Sequence, residues 1–282
     1  MSAATLTAPA IASTTVSNED YRRDGVVVAP TGLPAPLLAE MRTRLATMID
    51  GLESWKRPEG LVEPHLYGAD WRFWLEVCRH PQVVAEVAAA MGTDELLLVM
   101  SHLIVKRPRD GLAVAWHQDI TYWPHVHGTE VSTVWLAIDD VDVGNACMHV
   151  IPRSHSERAR LEKIATDGSD LLKVRVAVTP EQERDARPIE LRAGQFSIHD
   201  SFAIHGSTVN TSDRRRAGYT MRYADATKVR VDIAAHWVPV YYVAGDGRSL
   251  TPGMFDLRPG CALPAVPDPR KAMEVPPLPL PQ

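Results

Sequence analysis

The apolar positions of the chain keep a helical period in its first third and lose it after Leu96. Behind Pro34 and Pro36, the residues Leu37, Leu38, Met41, Leu45, Met48 and Ile49 recur at three- and four-residue steps, which predicts an amphipathic helix with one buried stripe. A shorter helix is expected where Asn18 offers an N-cap and Glu19 and Asp20 an acidic first turn. Asp24-Gly25 then turns into a strand, Val26-Val27-Val28. A further helical stretch runs from Pro81 through Met91 and meets Gly92, a residue that ends helices readily because it tolerates the left-handed conformation.

From Leu96 the pattern becomes a series of short β-rich runs between turn residues: 96–106, 131–138, 147–151, 187–191, 195–199, 218–223 and 235–242. Strands this short and numerous predict an antiparallel sandwich or barrel, so the expected fold class is mainly β with flanking helices. The charged stretch 156–184 has weaker helical patterning and reads as an insertion between strands. The expected organisation is a flexible tail over 1–17, one domain over 18–243 and a Pro-rich extension over 244–282. Nine prolines in those last 39 residues leave no material for a regular core there.

With 45% hydrophobic and 23% charged residues over 282 positions, the chain can bury one sizeable core. A net charge of −5 and a pI near 6.1 provide no attraction for phosphate backbones, and no basic run exceeds Arg214-Arg215-Arg216; nucleic acid is not expected as a partner. No window nears the roughly 20 apolar residues of a membrane span. The N-terminus lacks the basic and apolar regions of a secretory signal. Cys78, Cys147 and Cys261 are odd in number and form no CxxC pair, which fits a reducing cytoplasm better than a disulfide framework.

His117-Gln118-Asp119 is the one place where a histidine is followed two residues later by an aspartate. On an extended segment residues i and i+2 share a face, so imidazole and carboxylate can converge on one ion. Chance alone supplies about one such pair in a chain of this composition, so the motif depends on its context. Trp116 and the run from Ile120 to Trp123 make an apolar flank in which an unpaired carboxylate would be costly. A third ligand must come from a strand distant in sequence, and His205, ending a strand-like run before Gly206, is the candidate. Past the turn at 210–213, Arg216 opens a new strand. A hairpin there would bring its guanidinium, suited to clamping a carboxylate, near His205. Two histidines and one carboxylate leave three positions open, as in non-haem iron(II) oxygenases, whereas zinc prefers a tetrahedral site.

Taken in order, His117-Gln118-Asp119, Trp135-Leu136-Ala137-Ile138-Asp139, Ile151-Pro152-Arg153-Ser154-His155, His205-Gly206-Ser207 and Arg216 resemble the phytanoyl-CoA dioxygenase family. The resemblance runs from about Asp20 to Tyr223 and is strongest from Leu103 onward. It implies a double-stranded β-helix, or jelly roll, and a hydroxylase of a small molecule that uses Fe(II), 2-oxoglutarate and O2. By the same resemblance His117, Asp119 and His205 bind iron, while Arg216 and Ser207 grip the distal carboxylate of 2-oxoglutarate. Trp135 and Lys106 match positions that line the cosubstrate side of the pocket. His102 lies at another such position, where some relatives carry a thioether. Many members have Pro-Gly-Ser-His where this chain has Pro152-Arg153-Ser154-His155, a change confined to a loop. Halogenases of the family replace the metal carboxylate by a small residue; Asp119 is retained here, which favours oxygen transfer.

Plainer readings stand beside these. His117 and Asp119 also fit a hydrogen-bonded pair in a polar core. His125-Val126-His127 with Glu130 is a competing signal similar to the His-x-His of cupins, and would give a metalloenzyme that does not use 2-oxoglutarate; no later histidine is placed to complete it. A silent binding module on the same barrel is a third reading. Tyr122, Trp123 and His125 follow the metal motif directly and face either the substrate or the core. Trp71, Phe73 and Trp74 read as core more than as a pocket rim. His199-Asp200 carries little weight as an acid–base pair, because adjacent strand residues point to opposite faces.

Overall fold

The computed structural model describes residues 15–52, 61–109 and 112–269. Most of the expected tail, 1–14, and the end of the Pro-rich extension, 270–282, lie outside the described residues. Ser17, not Asn18, caps the first helix, α1 (Asn18–Asp24): its side chain accepts the Asp20 N–H, and Gly25 closes the helix at φ 76°. There follow β1 (Val26–Val28), α2 (Ala35–Asp50), β2 (Leu61–Val62), α3 (Trp71–Cys78) and α4 (Pro81–Met91). Asn18 is used elsewhere, donating its side-chain amide to Ala90 O at 2.6 Å and so tying α1 to the end of α4. The apolar stripe of α2 buries Leu38, Met41 and Leu45, with Leu37, Met48 and Ile49 half-buried at its margin. α3 sends Trp71 and Trp74 into the core, and Phe73 packs against it.

The β-rich remainder comprises β3 (Leu96–Lys106), β4 (Val114–His117), β5 (Val126–His127), β6 (Val131–Ala137), β7 (Met148–Val150), β8 (Ile164–Ala165) and β9 (Val174–Arg175). After the short helix α5 (Pro180–Asp185) come β10 (Arg187–Ile189), β11 (Phe196–Asp200), β12 (His205–Ser207), β13 (Arg216–Asp225), β14 (Arg230–Val231), β15 (Val240–Ala244) and β16 (Met254–Asp256). Among the described residues, the larger sheet runs β1-β11-β6-β13-β3-β15-β16 with β2 beside β3, and the smaller runs β10-β7-β12-β4. The two sheets make a jelly roll, with helices on the outer face of the larger one.

β13 shows how the period of a strand positions the site. It is buried over its whole length, so its two faces serve two different interiors. Tyr219 and Tyr223 face the helices, donating to Trp74 O at 3.3 Å and Cys78 O at 2.6 Å on α3. Arg216, Thr220 and Arg222 take the other face and line the interior of the roll.

Three local expectations change. The strand expected over 235–242 begins only at Val240, because Ala235 and His236 both donate backbone N–H groups to Asp232 O in a helical turn. The insertion 156–184 holds the β8–β9 pair and ends in α5, which Thr179 and Gln182 open with reciprocal capping bonds. The Pro-rich segment also supplies sheet: β16 pairs in parallel with β15, and Leu257 behind it is buried, since Pro252 and Pro259 flank that strand without interrupting it. Among the described residues, no helix is long and apolar enough to cross a membrane.

Candidate metal centre and cavity

β4 and β12 are neighbours in the smaller sheet, with His117 directly opposite His205 and their ring centroids 4.0 Å apart. Each imidazole bonds through Nδ1 to the carbonyl two residues before it, Ala115 O at 2.8 Å and Ala203 O at 2.9 Å. A carbonyl only accepts, so Nδ1 carries the proton and Nε2 keeps its lone pair. Those two Nε2 atoms lie 3.6 and 3.9 Å from Oδ1 of Asp119, which opens a short 3-10 turn, Asp119–Tyr122, just past β4. All three side chains are buried, and one ligand atom from each lies within 4.8 Å of the others. Burial would raise the Asp119 carboxyl, but Arg222, His117, His199 and His205 together hold it well below the usual carboxylate range. Burial, reinforced by His117 and His199, pushes His205 well below the usual imidazole range. An ionised carboxylate with a neutral imidazole is the protonation pattern a divalent metal requires.

The second oxygen of Asp119 is held by a row of residues from the opposite sheet. His199 on β11, Thr133 on β6 and Arg222 on β13 are successive cross-strand neighbours. Thr133 donates its hydroxyl to Oδ2 at 2.6 Å, while His199 Nε2 stands 3.6 Å and Arg222 Nε 3.8 Å from the same oxygen. Oδ2 is thereby occupied, and Oδ1 is left facing the two histidines. Supporting contacts of this kind fix the orientation of metal ligands.

These groups open into a cavity of about 530 Å³ between the sheets, whose apolar walls include Ile104, Val114, Met148 and Leu171. At its far end is Arg216, 2% exposed, its guanidinium 4.6 Å above the Trp135 ring. The two arginines before it form ion pairs, Arg214 with Asp142 at 2.6 Å and Arg215 with Asp139 at 2.8 Å. Arg216 has no carboxylate partner among the described residues; its Nε is buried without a hydrogen bond, and burial pulls it down to about 10. A buried cation without a counter-ion is a standing demand for an anion. Ser207 lies at the same end, its Oγ accepting from Lys106 Nζ at 2.8 Å. Gly218 leaves room for the Trp135 indole, because a Cβ there would overlap the ring. Gly218→Ala is therefore expected to destabilise the fold by about 3 kcal/mol, the upper end for overpacking, and to weaken anion binding at Arg216; urea unfolding and ligand titration of the variant would check both.

Of the residues singled out from sequence, His117, Asp119, His205, Arg216, Ser207, Trp135, His102, Tyr122 and Trp123 all line this cavity. Lys106 does not; it stands behind Ser207 and also donates to Thr208 O. His125 is absent from the wall too, because the chain turns away at Pro124 and β5 pairs with β14. His127 is exposed at that pairing, so the His-x-His segment builds no centre. Thr133, Arg222 and Glu63 are cavity residues that the motifs do not single out, and His199, given little weight as half of an acid–base pair, is another cavity residue. Alternation along β11 turns the buried Asp200 side chain to Arg158 at 2.5 Å and His199 to the cavity, 3.6 Å from Asp119.

A jelly roll whose cavity holds two histidines and an aspartate grouped closely enough for a metal ion, and a buried arginine with no carboxylate partner among the described residues, defines a class, that of double-stranded β-helix proteins. Residues 21–218 match the family model Phytanoyl-CoA dioxygenase (PhyH), and the chain belongs to that family. It is 28% identical over 144 residues to a phytanoyl-CoA dioxygenase domain-containing protein 1 homolog of Caenorhabditis briggsae, covering 49% of this chain and 50% of the relative. The chain thus spans about half the length of the first curated relatives it matches. It is also 28% identical over 269 residues to an L-proline trans-4-hydroxylase of Streptomyces griseoviridis, covering 82% of this chain and 93% of that one. Among solved structures, the non-heme monooxygenase ThoJ in its apo form superposes with a TM-score of 0.66 at 25% identity, over 86% of each chain.

Proposed function

We propose that this protein is an Fe(II)- and 2-oxoglutarate-dependent oxygenase that hydroxylates a C–H bond of a small molecule, with release of succinate and CO2, in secondary metabolism. The observation that carries the reading is the pairing, in one cavity, of the His117–Asp119–His205 cluster with the Arg216 guanidinium, which has no carboxylate partner among the described residues. Two imidazoles and one carboxylate suit a ferrous ion and leave three positions for other ligands. When bound, the iron would supply the activation of O2 and of the keto acid that oxidising an unreactive C–H bond demands.

The chain's own part is geometry and charge. His117, Asp119 and His205 would hold the metal, with Thr133, His199 and Arg222 keeping Oδ2 of Asp119 turned away from it. Arg216 would take the far carboxylate of 2-oxoglutarate. Ser207 would add its hydroxyl proton, which is available because Lys106 supplies the bond that Oγ accepts. Trp135 would support the guanidinium from beneath, and His102 would border the cosubstrate. Tyr122 and Trp123, leading away from the metal motif, would face the substrate. The apolar walls would keep water from the reacting atoms. A cupin-type enzyme without a keto acid would have no use for Arg216 so placed. The three cysteines are unpaired, which supports a reducing, cytoplasmic setting. Aerobic incubation tests the proposal: succinate should form only when iron and 2-oxoglutarate are both present. Its absence from protein shown to hold iron would refute the reading.

A further inference from the structure

We propose that the end of the cavity away from Arg216 is a binding site for a protonated amine, with the Glu63 carboxyl as its counter-ion, so that the substrates are amine-bearing small molecules. This deepens the oxygenase reading and rests on it, since the same cavity must hold metal and cosubstrate.

Arg216 and Arg222 lie six residues apart on one face of β13, about 20 Å along the strand. Glu63 is anchored at the Arg222 end. Its N–H donates to Ser101 O and the Ser101 N–H donates to its Oε2, both at 3.0 Å, and Ser101 lies opposite Met221 on β13. The Glu63 side chain lines the cavity, the residue is 1% exposed, and Oε1 has no hydrogen-bond partner among the described residues. Its backbone sits at φ 49°, a left-handed conformation that glutamate rarely adopts.

The bases around this acid are neutral or engaged. His65 Nδ1 is 3.4 Å from Oε2 but bonded to the Ser101 hydroxyl at 2.6 Å, and burial drives that imidazole down to about 3. Arg222 gives Nη1 to Thr220 and His102 and turns Nε toward Asp119. Burial accordingly pushes the Glu63 carboxyl up to about 8, against the opposing pull of the Ser101 N–H, the Arg222 charge and a hydrogen bond from Trp237. Among the described residues, the cavity thus holds Arg216 without a carboxylate partner at one end and, at the other, an acid that feels the charge of Arg222 but forms no ion pair with it. Trp237 and Trp123 line the Glu63 end, and Arg222 already stands 6.0 Å over the Trp123 ring. Indole faces attract cations, so an ammonium would meet both a carboxylate and aromatic walls. A purely structural glutamate would need only the acceptors that Ser101 and Trp237 use, and glutamine would supply an acceptor without the charge.

The experiment uses the whole protein, anaerobic, with Fe(II) and 2-oxoglutarate, and reads the visible charge-transfer band first. Matched probes are then titrated: L-proline against cyclopentanecarboxylate, benzylamine against benzyl alcohol, cyclohexylamine against cyclohexanol. The amine of at least one pair should bind tenfold or more tightly than its neutral-ring or alcohol counterpart. Glu63→Gln should abolish that preference while keeping the band and the 2-oxoglutarate affinity. Equal binding within every pair, no binding by any amine, or a preference that survives in Glu63→Gln would overturn the proposal. A missing band in the wild type, seen before any amine is added, would instead strike the oxygenase reading beneath it.

Discussion

Arg216→Ala is expected to raise the 2-oxoglutarate concentration needed for half-maximal turnover on the order of a hundredfold or more, because truncating one member of a buried charge pair costs about 2–5 kcal/mol. Iron affinity should stay near the wild-type value, since Arg216 sits on β13 while the His117, Asp119 and His205 positions lie on or just past β4 and on β12. The split is diagnostic. A general loss of structure would lower both affinities together, so the two ligands must be titrated separately in the variant. Arg216→Lys should recover only part of the loss, for an ammonium keeps the charge without the two-pronged fork.

Asp119→Ala is expected to abolish hydroxylation and to weaken iron binding by more than the roughly 10–100-fold that loss of a supporting contact brings. The effect is compounded by what remains: Thr133, His199 and Arg222 would face a cavity from which their acceptor had gone. Metal titration followed by a succinate assay checks this. Unchanged turnover in the variant would remove Asp119 from the ligand set.

The sequence shows the metal cluster more plainly than its support, for a physical reason. His117 and Asp119 are two residues apart, and His205 and Arg216 follow recognisable strand and turn signals, so local spacing reports them. Thr133 acts only because β6 pairs with β11 and β13 in one particular register, and no spacing along the chain encodes that register. Arg222 was within reach: it shares the face of β13 that Arg216 occupies, and the period of a strand carries one arginine inward with the other. Glu63 follows a two-residue strand, too short for any pattern, and is fixed by Ser101 on β3. The jelly roll was foreshadowed by the many short β runs, whereas the edge strand β16 was hidden among prolines that lie outside it.

Anaerobic addition of Fe(II) and then 2-oxoglutarate to the wild-type protein puts the central claim to its most direct test. Simultaneous capture of a ferrous ion by His117, Asp119 and His205 and of the keto acid beside Arg216 predicts a weak visible charge-transfer band that appears only when both are present. Iron retained by the protein with no band at saturating 2-oxoglutarate would contradict it.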